Sequence, residues 1–126
     1  MRVSEPAPGV FLSEIDGRAT TGVVGVMIRV AEEMLAGGRR LLVFHDWEKA
    51  TGYDAEAKKM LVDWTDRIKP YWDGSHILFS SPFIAMAVSV ASLTMRGKVA
   101  SYSSRANWAR ALAAACAKHA VVQPRP

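Results

Sequence analysis

Leu41 to Trp47 reads "LLVFHDW", and the fold turns on how this stretch is interpreted. Leu41, Leu42, Val43 and Phe44 are apolar without alternation, which is the pattern of a strand covered on both faces rather than one with a wet side. Gly37-Gly38 and Arg39-Arg40 precede the run, and "EKATGYD" follows it. A strand buried on both faces needs a layer of helices on each, so this heptapeptide predicts an α/β domain with "LLVFHDW" as a central strand.

The flanking sequence supplies those layers. Towards the N-terminus, Val10–Ile15 is a short β-type run ending at the turn dipeptide Asp16-Gly17, with a further strand expected around Met1–Glu5. From Thr20 or Thr21 to Leu35, the residues Val23, Val24, Met27, Ile28, Ala31, Met34 and Leu35 recur at three- and four-residue steps. This is an amphipathic helix, capped by threonine and stopped by the two glycines.

Towards the C-terminus, a second helix is predicted from Tyr53 or Asp54 to Ile68. Asp54 is its N-cap, Ala57, Met60, Leu61, Trp64 and Ile68 form its inner face, and Pro70 closes it. "SHILFSS" then reads as a strand, Pro82–Met95 as a helix, "KVASYSS" as a strand and Arg105–Lys118 as a last helix capped by Ser104. Strand and helix alternate, so neighbouring strands are joined by right-handed crossovers and the sheet is mainly parallel, with four to five strands and about four helices. Residues 1–120 form a single domain, and residues 121–126, "VVQPRP", are expected to be a flexible tail.

Composition narrows the function classes. A lone cysteine, Cys116, excludes an intramolecular disulfide or a multi-cysteine metal site and fits a reducing, cytoplasmic setting; "MRVSEPAPGVF" lacks the apolar core of a signal peptide. Ile77–Met95 carries no charge over 19 residues, but Ser80-Ser81-Pro82 divides it into strand and helix, so it is not read as a membrane span. The net charge is +4, and no acidic residue follows Asp73. The basic residues beyond it (Arg96, Lys98, Arg105, Arg110, Lys118 and Arg125) are scattered singly without interleaved aromatics, which predicts a solvated basic face rather than a nucleic-acid site.

The carboxyl ends of parallel strands are where such sheets meet ligands and partners. Here they are Asp16–Thr21, His45–Asp54, Ser80–Pro82 and Ser103–Arg105. His45 and Asp46 are neighbours on a strand, so they point to opposite faces and do not cooperate in acid–base chemistry. His45 is expected to pack beneath a helix and Asp46 to brace the loop; an enzyme built on His45, Asp46 and Asp54 is the weaker reading. Cys116 and His119 share a helix, where a buried structural thiol is expected rather than a nucleophile. His45, His76 and His119 show no metal-ligand spacing, and neither "AGG" nor "TTGVVG" matches a phosphate-binding fingerprint, so no metal or cofactor is expected. The helix over Pro82–Met95 is apolar on nearly all sides; Phe83, Met86, Val90 and Leu93 form one stripe of it, expected to be either simply buried, a dimer contact or a surface for a hydrophobic ligand.

With the strand–helix order in hand, "VFLSEIDGRATTG", "RRLLVFHDWEKATGYDAEAKKMLVDW" and "SHILFSSPFIAMAVSVASLTMRGKVASYSSRANWARAL" together resemble the STAS superfamily, in particular its SpoIIAA-like, anti-sigma-factor-antagonist-like branch. The resemblance implies a STAS-like fold over nearly the whole chain. It also implies a phosphorylatable serine or threonine after an aspartate at the start of a helix, where a partner kinase adds charge and stops docking. That aspartate falls at Asp54, and the next positions read Ala55-Glu56-Ala57, so the acceptor hydroxyl and the following glycine are missing. Thr51, three residues before Asp54, is the nearest serine or threonine upstream.

The expectation is therefore a non-enzymatic, cytoplasmic interaction module. It would bind a protein, or a second copy of itself, through Asp46, Trp47, Thr51, Gly52, Tyr53, Asp54 and Ala55. Trp47 and Tyr53 would serve either as contact anchors or as packing that closes the end of the sheet. The alternative is a carrier of a hydrophobic small molecule or lipid, since SpoIIAA-like domains are similar to the CRAL-TRIO fold.

Overall fold

The computed structural model describes residues 1–79 and 98–122. The elements are β1 (Arg2–Ala7), β2 (Val10–Glu14), β3 (Gly17–Ala19), α1 (Thr21–Ala36), β4 (Leu41–Trp47), β5 (Ala50–Tyr53), α2 (Ala55–Arg67), a 3-10 turn (Lys69–Tyr71), β6 (Trp72–Phe79), β7 (Val99–Tyr102) and α3 (Arg105–Val122). Three α-helices thus stand among the described residues. The helix expected over Pro82–Met95, with Phe83, Met86, Val90 and Leu93, lies outside them.

Five strands form the main sheet in the order β1-β2-β4-β6-β7, with β1 antiparallel to β2 and every other pair parallel. "LLVFHDW" is the middle strand, as its unbroken apolar character requires: Val43 and Phe44 are adjacent, point to opposite faces and are both fully buried. The odd-numbered residues of β4 meet α1 and α2 in a core that includes Phe11, Met27, Val43, Trp64 and Ile77. Its even-numbered residues meet α3 in a second cluster of Ala7, Val10, Phe44, Leu78 and Trp108.

The helix ends follow the sequence. Thr20 accepts the Val23 amide at 3.2 Å on its hydroxyl, and Gly38 takes φ +81° just past the end of α1. Ser104 accepts the Asn107 amide at 3.3 Å at the start of α3. This last helix runs four residues beyond the expected Lys118, because no glycine or proline interrupts "AVV" before Pro124. Residues 123–126, the remainder of the expected tail, lie outside the described residues.

Three strands depart from the expectation. Gly17–Ala19 and Ala50–Tyr53, read as turn and loop, pair in parallel as a separate two-stranded ribbon. β6 starts at Trp72 rather than Ser75: Gly74 adopts φ +141° beside a register shift opposite Leu41–Leu42, and a Cβ there would lie 3.0 Å from the Lys98 carbonyl oxygen. Asp73-Gly74 therefore looks like a turn in sequence yet lies within a bulged strand.

Candidate functional site

The carboxyl end of β4 distributes its side chains by alternation. His45 goes to the α1/α2 side, where parallel pairing sets it beside Ser13 of β2. Ser13 Oγ lies 2.5 Å from His45 Nδ1, Trp47 stacks on the imidazole with centroids 4.5 Å apart, and Phe11 meets it edge-on. Burial pushes the His45 pKa down to about 3, because an imidazolium here would lose its hydration without a countercharge. The ring is neutral at ordinary pH. Serine beside histidine has the composition of a nucleophile–base pair, but Ser13 is 0% and His45 2% exposed, so no substrate reaches them. Their role is that of a satisfied polar pair inside the core.

Asp46 takes the opposite face. Arg105, the first residue of α3, donates from Nη2 to both its carboxylate oxygens at 2.8 and 3.0 Å and from Nε to Glu48 Oε1 at 3.0 Å. Those two carboxylates, Asp46 first, raise the Arg105 pKa above its ordinary value. Arg2, Glu14, Ile15 and Lys49 complete a polar cleft around this clamp. Asp46 thus braces the β4–β5 turn, as expected. Arg105, one of the basic residues expected on a solvated face, is about half exposed and is also held by two carboxylates. A clue was present in the sequence: an arginine at a helix N-terminus opposes the helix dipole and calls for carboxylates nearby.

The rest of the predicted segment is built on the β3–β5 ribbon. Gly17 pairs with Ala50 and Arg18 with Gly52, so Thr51 is the extra residue of a bulge, and its side chain is exposed. Gly52 leaves room for Arg18, which crosses it: a Cβ there would lie 3.3 Å from the Arg18 Nη1, the end of a flexible side chain. Beyond Gly52, Arg18 donates from Nε to Asp54 Oδ1 at 2.5 Å and from Nη2 to the Tyr53 carbonyl at 3.1 Å. Asp54 occupies the N-cap position of α2 with extended backbone, yet its carboxylate makes no capping bond, because Arg18 holds it. Ala55, exposed, opens α2.

Trp47 is buried at 8% exposure, and Tyr53 is half-buried against the same core. Of the segment singled out in the sequence, Thr51 and Ala55 are exposed, Tyr53 and Asp54 half-buried and Gly52 buried, while Asp46 stands on the α3 face at the end of β4. His45, Asp46 and Asp54 are not brought together: each is committed to a different partner, Ser13, Arg105 and Arg18 respectively. A further pair was missed in sequence. His76 Nδ1 lies 2.8 Å from the Tyr102 hydroxyl on the α3 side, where burial lowers the histidine pKa and raises that of the tyrosine. Only the pairing of β6 with β7 makes these two neighbours.

Among the described residues no group of three histidine, cysteine or carboxylate side chains is placed to hold a metal ion. No described helix is long and apolar enough to cross a membrane.

Solved structures share this architecture. An uncharacterised protein of the DUF3478 family with a SpoIIAA-like fold, from Shewanella loihica PV-4, matches with a TM-score of 0.65 and 15% identity, over 82% of this chain and 83% of that one. The anti-sigma factor antagonist SpoIIAA in its unphosphorylated form matches with a TM-score of 0.65 and 8% identity, over 90% of this chain and 96% of that one. No protein-family model and no curated protein sequence matches the chain. At these identities the likeness is one of fold, and the fold is SpoIIAA-like: α/β, with a mostly parallel mixed sheet of five strands.

Proposed function

We propose that the protein is a non-enzymatic, STAS-like regulatory module that docks a protein partner through the Asp46–Ala55 rim and the adjoining outer face of α2. The observation that carries this reading is the way the rim's charged groups are used. Asp46 and Asp54 are each neutralised by an arginine from elsewhere in the chain, which fixes the shape of the rim and leaves no carboxylate converging with His45 on a common reacting atom. Exposed Lys49, Thr51, Ala55, Glu56 and Lys59 then present a firm surface of mixed charge. Ala55 stands where the resembling antagonists carry their phosphorylatable hydroxyl, so docking here is not switched by phosphate at that position. The SpoIIAA-like fold supports the module class.

The test is affinity capture from the native host's lysate, comparing the wild-type protein with a Thr51→Arg, Glu56→Lys double variant. Both positions are exposed, so folding is expected to survive, as circular dichroism would check. The expected result is loss of the specifically captured protein, including any second copy of the chain seen by light scattering. An unchanged set of captured proteins and an unchanged mass would refute this docking surface.

A further inference from the structure

α3 differs from the other described helices in how it is attached. Among the described helices it lies alone on its face of the sheet, and it is the last described element, following β7, the last strand in the order of the described sheet; lifting it therefore breaks no described strand pairing and no described crossover. Its inner side is small: Trp108 is buried, while Ala111, Leu112, Ala115 and Cys116 are only partly so. Polar clasps stand at both ends. At the N-terminus Arg105 spans Asp46 and Glu48, against the dipole of its own helix, and the Trp108 indole N–H donates to the His76 carbonyl at 3.2 Å. Near the C-terminus His119 Nδ1–H donates to the Pro8 carbonyl at 2.9 Å, gripping the β1–β2 turn. α1 and α2, by contrast, pack on each other and on the larger core.

We propose that α3 is a strap closed over an apolar face of the sheet and latched by Arg105, and that it opens as a unit while the sheet, α1 and α2 remain folded. Opening uncovers Val10, Phe44 and Leu78, a contiguous apolar surface that the closed state hides. The latch carboxylates sit at the end of β4 and on the turn to β5, so the strap is tied to the proposed docking segment. Its existence nonetheless does not depend on any partner meeting that segment.

Amide hydrogen exchange followed residue by residue by NMR, as a function of urea on the full chain, tests this. A sub-global unit exchanges faster than the global core and with a shallower urea dependence. Leu112–Cys116 amides are expected to exchange at least about tenfold faster than those of Val43–His45 without urea, converging with them only as urea approaches the unfolding transition. Arg105→Gln should speed α3 exchange by about fivefold, the size appropriate to a partly exposed ion pair, and 1 M salt should act in the same direction on the wild type. If α3 and β4 amides exchange together at every urea concentration, α3 belongs to the single cooperative unit and the strap is wrong. Should α3 exchange early but ignore both Arg105→Gln and salt, Arg105 is not its latch. Neither result bears on capture of a partner by the rim.

Discussion

Acidification should destabilise this protein through one buried ring. His45 has an ordinary pKa of 6.5 when exposed, as in the unfolded chain, and about 3 in the fold. Between those values the unfolded chain binds a proton that the native state refuses, so stability falls as pH falls, starting near 6.5 and levelling off near 3. Well below pH 6.5 the slope approaches about 1.4 kcal/mol per pH unit, and integrated from pH 7 to pH 5 the loss is about 2 kcal/mol. His76, whose pKa burial also lowers, acts in the same direction, so His45 must be isolated by difference. The perturbation is the double substitution His45→Leu, Ser13→Ala, which removes the ring and the hydroxyl it would otherwise leave unpaired. Urea unfolding followed by tryptophan fluorescence at pH 7 and pH 5 should show the wild type losing about 2 kcal/mol more than the double variant. The His45 ring resonances should also stay put from pH 8 to pH 4.5. Parallel losses in the two proteins, or a His45 titration near pH 6, would refute the assignment of a neutral, sequestered imidazole.

Two further substitutions probe the frame. Gly9→Ala places a methyl 2.9 Å from the Arg40 carbonyl oxygen at φ +80°, beside the His119 ring, and is expected to cost at least about 1 kcal/mol in chemical denaturation. Thr20→Ala removes the hydroxyl that caps α1 and should cost about 1 kcal/mol by the same measurement, while Thr20→Ser restores most of it.

What the sequence disclosed and what it withheld separate along physical lines. β4 and the inner faces of α1 and α2 were legible because they follow from one local pattern each: unbroken apolarity over Leu41–Phe44, and three- and four-residue spacing from Val23 to Leu35 and from Ala57 to Ile68. The β3–β5 ribbon was not, since Gly17–Ala19 and Ala50–Tyr53 are too short to show a period and carry two glycines, and their pairing joins residues more than thirty apart. Trp72–Gly74 was hidden for a similar reason, a strand start whose Asp-Gly mimics a turn. At the rim, the residue types and the fates of His45 and Asp46 could be read from alternation. The arginines could not: Arg105 reaches Asp46 across 59 positions, and Arg18 reaches Asp54 across 36, so only the folded topology selects those partners. The same holds for Ser13, an unremarkable serine until strand register sets it against His45.

The β3–β5 ribbon has a thermodynamic consequence for the docking proposed above. Were this stretch ordered only on contact, each residue fixed at that moment would subtract about 1–2 kcal/mol from the affinity. Here the ladder to β3, the Arg18–Asp54 pair and the crossing over Gly52 have already ordered the stretch during folding. Association at this edge should therefore resemble the meeting of two preformed surfaces, with little change in helix or strand content on binding and with affinity differences among variants residing mainly in the dissociation rate.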